Sequence, residues 1–323
     1  MTRILKKPTI LVAERVSDSA MERLAAAGEL IVLERCDEQA LINAVGNADA
    51  LVIRTYSRVT RRVMEAGKKL RVIARAGVGI DNIDLAAARE LGIPVVHTPA
   101  ACTHAVADLT VGLIIALQRK IAVFDGRMRA GEFAALRKEK PLPLELQHQT
   151  LGIIGMGRIG SQVARRLALG FGMRIVYHDI RSIGPFAFPA ECISRDQVLA
   201  SADVVTLHVP LTAQTRGMID RDALARMKPS ACLVNTSRGP VVVGTDLADA
   251  LTRGTIGGAA IDVFEPEPPP PGHPLFAAPN CLLSPHVASR SREGLAAMND
   301  VVDDVVAILE GRQPTWPAAA GAE

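Results

Sequence analysis

The chain has 323 residues, a length sufficient for about two domains that each bury a core. Hydrophobic residues make up 49% and charged residues 22%, as in an ordinary soluble globular protein. The net charge of +3 is small, and Lys and Arg are not concentrated into a nucleic-acid or membrane footprint. Arg61, Arg62 and the basic cluster at 137–140 are interpreted as solvated. We therefore expect neither nucleic acid nor membrane as a partner.

The sequence contains no recognisable targeting signal. Residues 1–8 are basic but lack the apolar core of a signal peptide, and the longest apolar run, 111–117, is far short of the roughly 20 residues of a membrane span. The cysteines are scattered and odd in number, namely Cys36, Cys102, Cys192, Cys232 and Cys281. Their spacing predicts buried free thiols in a reducing cytosol and no metal site. A cytoplasmic protein is expected.

Strands and helices alternate through the first hundred residues. Strands are predicted at 9–13, 30–33, 50–53, 71–74 and 93–96. Helices are predicted at 17–27, 38–45, 60–66 and 82–91. Ser17 and Asp81 are the predicted N-caps of the first and last of these helices. Such alternation indicates a parallel sheet that is covered by helices on both faces.

A glycine-rich loop opens the middle of the chain, after a helix predicted at 105–119. An apolar run ends in Gly155-x-Gly157-x-x-Gly160, and residues 161–169 are predicted as a helix whose N-terminus faces phosphate charge. The next strand, 173–178, ends at Asp179, about 20 residues past the last glycine, where an acceptor for a ribose hydroxyl is expected. The pattern predicts a dinucleotide site. The alternative is a turn whose glycines serve packing only.

The rest of the chain continues the same scheme. Further strands are predicted at 204–207, 232–235, 258–261 and 281–283, and further helices at 195–200, 221–227, 246–253 and 292–310. The proline-rich stretch 265–274 is expected to be a rigid loop, because prolines lack amide donors, and 315–323 a loosely held tail. Since a second Rossmann-like unit begins in mid-chain, the fold class is α/β with two doubly wound parallel-sheet domains, Rossmann-like or flavodoxin-like.

Polar residues follow three strands of the second unit. They are Arg238, Asp262 with Glu267, and His286. Ligands bind beyond the carboxyl ends of such strands, so these groups should converge near a bound nicotinamide. Each residue alone is more often structural than catalytic. Together they predict hydride transfer, with His286 as the base, Glu267 fixing its tautomer and Arg238 clamping a substrate carboxylate.

A second glycine loop, Arg75-Ala-Gly77-Val78-Gly79, follows a strand of the first unit. Its amide groups could form a nest for a carboxylate. The alternative is a tight turn in which the glycines meet only a backbone requirement. Arg54, just past another strand, could add a cation for a second anionic group.

These motifs resemble the D-isomer-specific 2-hydroxyacid dehydrogenases over nearly the whole chain. Segment 75–84 is similar to the family's substrate-carboxylate loop and 151–160 to its cofactor loop, while the family's Arg, Glu and His segments match 235–239, 262–268 and 284–286. The resemblance implies a discontinuous substrate-binding domain, 1–100 with 287–323, and an NAD-binding domain, 101–286. It also implies a cleft that closes between the domains and a homodimer formed through the cofactor domain.

The resemblance extends to individual site residues. The expected cofactor-binding residues are Gly155, Met156, Gly157, Arg158, Ile159, Gly160, Asp179, Thr103 and Asp262, the last at the nicotinamide carboxamide. The expected substrate-binding residues are Arg54, Arg75, Val78 and Gly79. We expect NAD as the cofactor, because the Asp179 carboxylate would repel the 2′-phosphate of NADP, although Arg181 could soften that repulsion.

Within the family, segment 52–60 and the Arg75 loop look most like 3-phosphoglycerate dehydrogenases, in which the residue matching Arg54 helps bind phosphate. The hinge departs from the family pattern at His97, Ala101 and Cys102, where Asn, Gly and Asn are usual. Reduction of hydroxypyruvate or glyoxylate therefore stays open. The alternatives of another class are an NAD(H)-dependent corepressor-like binding protein and a fold-mate dehydrogenase such as one acting on alanine. The complete Arg, Glu and His set disfavours both.

Overall fold

A computed structural model describes residues 7–139 and 144–318, so parts of the predicted basic cluster, N-terminal segment and tail lie outside the described residues. The chain divides into two compact units, Met1–Cys102 with Arg290–Glu323, and Thr103–Ser289. None of the helices in the described ranges combines the length and apolar character that a membrane crossing requires.

The strands are β1 (Thr9–Val12), β2 (Glu29–Val32), β3 (Ala50–Ile53), β4 (Val72–Arg75), β5 (Val95–His97), β6 (Thr150–Ile154), β7 (Arg174–His178), β8 (Glu191–Cys192), β9 (Val204–Leu207), β10 (Cys232–Asn235), β11 (Gly258–Ile261) and β12 (Cys281–Leu283). The α-helices are α1 (Asp18–Ala27), α2 (Glu38–Ala44), α3 (Arg61–Ala66), α4 (Leu85–Glu90), α5 (Thr103–Gln118), α6 (Ile121–Arg129), α7 (Phe133–Leu136), α8 (Arg158–Phe171), α9 (Arg195–Ser201), α10 (Arg221–Ala225), α11 (Gly244–Thr252), α12 (Arg292–Asn299) and α13 (Val301–Leu309).

The first unit contains a five-stranded sheet in the order β2-β1-β3-β4-β5. All its strand pairs are parallel, and this is the flavodoxin-like order. Successive side chains of β1 enter different cores, because side chains alternate along a strand. Ile10 and Val12 belong to the same core as Leu24 of α1 and Val302 of α13, whereas Leu11 belongs to the core on the other face. Both faces of the sheet are therefore buried at β1, whereas the edge strand β2 is largely exposed.

The second unit contains a seven-stranded parallel sheet in the order β12-β11-β10-β9-β6-β7-β8. The chain builds β6, β7 and β8 towards one edge and then returns to place β9 on the other side of β6. Dinucleotides bind at such a switch in strand order, beyond the carboxyl ends of the strands. The loop after β6, which carries the predicted glycines, lies at this position.

The α/β fold class with two doubly wound parallel sheets is confirmed. Ser17 is the N-cap of α1 and accepts a hydrogen bond from the Ala20 amide. The prediction of Asp81 as an N-cap is wrong, because α4 begins later, at Leu85, and its cap is Asp84, whose carboxylate accepts from the Ala87 amide at 2.9 Å.

Other predicted elements need correction. The helix predicted at 292–310 is two helices that meet at Asp300, where the Asp303 amide bonds the Asp300 carbonyl at 3.0 Å. Helices α6 and α7 were not predicted, and none of their residues is buried. Strand β8, of two residues, was also missed.

The described part of the tail is held, contrary to the expectation of a loose end. The amides of Thr315 and Trp316 donate to the Asp304 carboxylate at 2.6 and 2.9 Å, and the Ala318 amide donates to the Val95 carbonyl at 2.8 Å. The prediction of buried cysteines is confirmed for Cys102 and Cys232 and is wrong for the others, since Cys192 is exposed and Cys36 and Cys281 are partly exposed.

Candidate active site

The glycine loop lies between β6 and α8. At Gly155, where φ is +94°, a Cβ atom would lie 2.5 Å from the His208 carbonyl oxygen, and at Gly160 it would lie 2.2 Å from the Gly155 carbonyl oxygen. These two contacts pack the loop against β9 and the first turn of the helix, so both positions require glycine. A Cβ atom at Gly157 would meet nothing nearer than Arg181 Nη2, at 3.6 Å. The space beside Gly157 is therefore open except for the end of the Arg181 side chain.

Helix α8 starts earlier than expected, at Arg158, with Gly157 as its N-cap and no side-chain hydrogen bond at the cap. Its unpaired amide groups and positive dipole end begin at the glycine loop, which suits a pyrophosphate. Arg158 and Ile159 form the first residues of the helix. Thr103, also predicted at the cofactor, is the first residue of α5, a helix that packs on α8.

Asp179 follows β7, and its carboxylate is 6% exposed. Its Oδ2 accepts from the Met156 amide at 2.8 Å, and its Oδ1 accepts from the Arg181 amide at 2.9 Å and from Arg181 Nε at 3.4 Å. Asp179 is thus hydrogen-bonded directly to the glycine loop. The glycine loop, the N-terminus of α8 and Asp179 together fit a dinucleotide.

Three adjacent strands, β10, β11 and β12, carry the predicted catalytic residues at their carboxyl ends. His286 Nδ1 lies 2.8 Å from Glu267 Oε2, and the Phe264 amide donates to Glu267 Oε1 at 2.8 Å. Because an ionised carboxylate only accepts, Nδ1 carries the hydrogen and Nε2 is left to exchange a proton. The side chains of His286 and Glu267 are 36% and 31% exposed, so the pair is accessible without being fully solvated.

The pKa of Glu267 lies below its ordinary value. Burial alone would raise this pKa, but the hydrogen bonds from His286 and the Phe264 amide, with the charges of His286 and Arg238, outweigh burial. Arg238 itself belongs to a bonded turn, since Asn235 Nδ2 donates to the Arg238 carbonyl at 2.9 Å. Glu267 therefore stays a carboxylate near neutral pH, and Arg238 adds positive charge to the same region.

Asp262 is fully buried and bonds to the segment that carries His286. Its Oδ1 accepts from Ser284 Oγ at 2.5 Å and from the Val287 amide at 3.0 Å, while Oδ2 accepts from the Ala288 amide at 2.9 Å. The His286 amide also donates to the Asp262 backbone carbonyl at 2.7 Å. These bonds fix the turn that presents the imidazole. The expected contact of Asp262 with a carboxamide stays a prediction.

The predicted substrate-binding residues lie in the first unit. Arg54 follows β3, Arg75 ends β4, and Val78 and Gly79 lie in the loop after β4. His97 Nδ1 donates to the Val78 carbonyl at 2.8 Å, which bonds this loop to the end of β5.

The sequence analysis missed three polar residues that follow strands of the two sheets, namely Glu14, Asn82 and His208. Glu14, after β1, accepts hydrogen bonds from the loop that begins at Arg54, and Asn82 donates to the same loop. His208 follows β9, and burial lowers its pKa to about 3. The strand-end position could have suggested Glu14 and His208. In residues 7–139 and 144–318, no cluster of His, Cys, Asp and Glu side chains could hold a metal ion.

A glycine loop at a helix N-terminus and an imidazole paired with a carboxylate, on doubly wound sheets, define a dehydrogenase that uses a nicotinamide dinucleotide. The comparisons agree, since the family pattern described as D-isomer specific 2-hydroxyacid dehydrogenase, NAD binding domain, matches residues 111–288. The chain belongs to the D-isomer specific 2-hydroxyacid dehydrogenase family, and it is an NAD(P)-dependent D-2-hydroxyacid dehydrogenase.

Its relatives carry two kinds of name. A glyoxylate reductase from Thermofilum pendens is 36% identical over 321 residues, covering 96% of this chain and 94% of the relative. A D-3-phosphoglycerate dehydrogenase from Methanocaldococcus jannaschii is 39% identical over 94% of this chain, which spans 57% of that protein. An NADPH-dependent glyoxylate/hydroxypyruvate reductase from Sinorhizobium meliloti, solved with NADP and malonate, is 34% identical with a TM-score of 0.86 and 97% of each chain covered.

Proposed function

We propose that the chain interconverts a small D-2-hydroxy acid and its 2-oxo acid with NAD(H), and that the substrate is of the 3-phosphoglycerate type. The observation that carries the chemistry is the 2.8 Å contact between His286 Nδ1 and Glu267 Oε2, at strand ends that also carry Arg238. A bound nicotinamide supplies the hydride acceptor or donor.

The residues of the chain have separate roles in this proposal. His286 Nε2 takes the proton of the substrate hydroxyl during oxidation and returns a proton to the oxygen during reduction. Glu267 holds the Nδ1 hydrogen, which fixes the tautomer, and its charge stabilises the imidazolium. Arg238 binds the substrate carboxylate and polarises the neighbouring carbonyl. The glycine loop and Asp179 hold the cofactor.

The choice of substrate rests on the first unit. Arg54 adds a cation to the strand end beside the Arg75 loop, which supports an acid with a second anionic group, and relatives named D-3-phosphoglycerate dehydrogenase support the same choice. The second candidate is reduction of hydroxypyruvate or glyoxylate. Relatives named glyoxylate reductase favour it, because the chain covers 94% and 95% of two of them.

A panel of 2-oxo acids with NADH, followed at 340 nm, tests the function and separates the candidates. The highest kcat/KM is expected for 3-phosphohydroxypyruvate, with hydroxypyruvate and glyoxylate as the comparison substrates. A higher kcat/KM for glyoxylate would support the second candidate. Tight NADH binding without turnover of any 2-oxo acid would contradict the proposal and favour a dinucleotide-dependent binding protein.

We propose NAD rather than NADP as the preferred cofactor. An Asp179 carboxylate about 5 Å from a 2′-phosphate would cost roughly 3 kcal/mol per unit charge at an effective dielectric constant near 20. Arg181 lies against the same carboxylate and reduces this repulsion. The ratio of kcat/KM for NADH and NADPH measures the preference, and a ratio in favour of NADPH would contradict the assignment.

We further propose a cytoplasmic homodimer that is formed through the second unit. Helices α6 and α7 have no buried residue, yet Ile121, Val123, Met128 and Phe133 are large, apolar and exposed. Burying apolar surface of this kind against a second copy of the chain is favourable. Light scattering coupled to size exclusion should give twice the 34.3 kDa chain mass, and Phe133→Asp should shift the mass towards the monomer.

A further inference from the structure

The segment Arg54-Thr55-Tyr56-Ser57, here named the Arg54 loop, binds one carboxylate with all its amide groups. The amides of Arg54 and Ser57 donate to Glu14 Oε1 at 3.0 and 2.8 Å, and the Thr55 amide donates to Oε2 at 3.0 Å. The Tyr56 amide lies 3.1 Å from both oxygens. Glu14 stands just past the end of β1, the strand next to β3. Consecutive amides that converge on one anion define the shape of a loop closely.

The carbonyl groups of the Arg54 loop are held from the opposite direction by one amide side chain. Asn82 Nδ2 donates to the Arg54 carbonyl at 3.0 Å and to the Ser57 carbonyl at 2.8 Å. The backbone of Asn82 is bonded to the same region, because its carbonyl accepts from the Val59 amide at 2.9 Å. Asn82 follows the Arg75–Gly79 loop in sequence. The two predicted substrate-binding segments are therefore joined through one residue.

These contacts restrain the backbone of the Arg54 loop, in which Thr55 and Tyr56 are exposed and Ser57 is buried, while the half-buried Arg54 donates from Nη1 to the Arg15 carbonyl at 3.2 Å. Tyr56 is 78% exposed although its amide is bound. Burial would raise the pKa of Glu14, but the amide hydrogen bonds of the loop outweigh burial, and the pKa lies below its ordinary value. Glu14 is therefore a carboxylate at neutral pH and holds the amides by charge-assisted hydrogen bonds.

We propose that Glu14 and Asn82 are positioning residues that fix the Arg54 loop and so hold the Arg54 guanidinium in place for an anionic group of the substrate. This inference rests on the proposed function, because Arg54 is assigned to the substrate there. It adds that the affinity for the substrate depends on Glu14 and Asn82, two residues that need not touch the substrate. The hydrogen bonds that Glu14 and Asn82 make to the Arg54 loop are here named the clamp. Without the clamp, the loop would present Arg54 in many orientations, and substrate binding would weaken.

The experiment compares Glu14→Gln and Asn82→Ala with wild type on the best 2-oxo acid of the panel. In Glu14→Gln one acceptor oxygen becomes an NH2 group that faces backbone N–H donors. We expect KM to rise about tenfold in each variant, with kcat within about twofold, because the reacting groups lie elsewhere in the chain. Glu22→Gln, an exposed residue of α1, is the matched control and should leave both constants unchanged.

A double-mutant cycle tests whether the clamp acts through Arg54. In an Arg54→Ala background, Glu14→Gln should raise KM no further, since the guanidinium that it positions is gone. Glu14→Asp should recover part of the lost affinity for the substrate, because aspartate keeps the negative charge on a shorter side chain. An equal rise in KM with and without Arg54 would overturn the proposal and show a general loss of structure.

Hydrogen exchange provides a readout that does not depend on turnover. Amide exchange of residues 54–57 should become at least about tenfold faster in Glu14→Gln, while the strands of the same unit keep their protection. Unchanged exchange at 54–57 would overturn the clamp even if the enzyme is active. A wild-type enzyme that reduces no 2-oxo acid would instead overturn the proposed function and the role of Arg54 with it, while the exchange result still decides whether Glu14 holds the loop.

Discussion

Replacing Glu267 by Gln removes one negative charge beside His286 and one acceptor oxygen, so that an NH2 group faces the Phe264 amide, which donates to Glu267 Oε1 at 2.8 Å in the wild type. The side-chain oxygen of the introduced glutamine can still accept the Nδ1 hydrogen of His286, which lies 2.8 Å from Glu267 Oε2 in the wild type, so the tautomer is kept. The variant therefore keeps the hydrogen bond from His286, removes the charge of the carboxylate and loses the bond from the Phe264 amide. Glu267→Ala, which also removes the hydrogen bond from His286, completes the pair.

The size of the effect follows from the geometry of the pair. With about 4 Å between the centres of charge, an imidazolium and a carboxylate attract by about 4 kcal/mol at an effective dielectric constant of 20 and by about 1 kcal/mol in bulk water. The side chains are 36% and 31% exposed, so the pair lies between these limits. Since 1.36 kcal/mol is a factor of ten in rate, oxidation of the hydroxy acid should slow by about 5-fold to 10³-fold in Glu267→Gln.

The assay is kcat for NAD+ reduction with the preferred hydroxy acid at neutral pH, with NADH affinity measured by fluorescence titration. Glu265→Gln is the matched control, because Glu265 lies in the same proline-rich loop but pairs with Arg216, at 2.8 Å. Its kcat should stay within about twofold of wild type. Wild-type kcat in Glu267→Gln would refute the reasoning, as the carboxylate charge would then have no part in stabilising the imidazolium.

Three further outcomes are expected. His286→Asn should lower kcat by about 10²–10⁴, the usual range for a lost acid or base, and wild-type turnover would exclude His286. Asp179→Ser should raise kcat/KM for NADPH relative to NADH by about 10². This factor is the equivalent of a repulsion of roughly 3 kcal/mol between the carboxylate and a 2′-phosphate. An unchanged ratio would contradict an electrostatic origin of the cofactor preference. Because the folded-state pKa of Glu14 lies below the ordinary 4.5, its stabilisation is present above that pH and is lost as pH falls through the folded value. The difference in urea midpoint between wild type and Glu14→Gln should accordingly shrink below pH 4.5, and a difference independent of pH would contradict this sign.

The sequence predicted every described strand except β8, because most strands of the parallel sheets are buried runs that alternate with helices, whereas both residues of β8 are exposed. Element boundaries were less predictable. Helix α4 begins three residues later than expected, since Asn82 binds the Arg54 loop and Asp84 takes the capping position. Helices α6 and α7 carry no buried residue, so periodicity could not reveal them. Patterns of burial predict the helices that face a core and miss the helices that no core covers.

The proximity of Glu267 and His286 was predictable for a topological reason. Residues that follow adjacent parallel strands reach the same edge of the sheet, so their order along the chain and the order of strands β10, β11 and β12 are enough to bring them together. The clamp on the Arg54 loop obeys the same rule, as Glu14 and Arg54 follow the adjacent strands β1 and β3. Its partners, however, are backbone amides, which every residue except proline has, and a sequence does not show which side chain they bind.

Asp262 illustrates how backbone geometry decides what a strand-end residue does. His286 has a φ of +51°, a left-handed conformation that costs a residue with a Cβ atom about 1–2 kcal/mol. The buried Asp262 carboxylate accepts hydrogen bonds from Ser284 Oγ and from the Val287 and Ala288 amides, and bonds to a charged group contribute about 1.5–3 kcal/mol each. The free energy contributed by these hydrogen bonds exceeds the cost of the left-handed conformation at His286. The His286 imidazole is consequently held in an otherwise unfavourable turn by a carboxylate from the neighbouring strand, and the orientation of His286 depends on Asp262 as well as on Glu267.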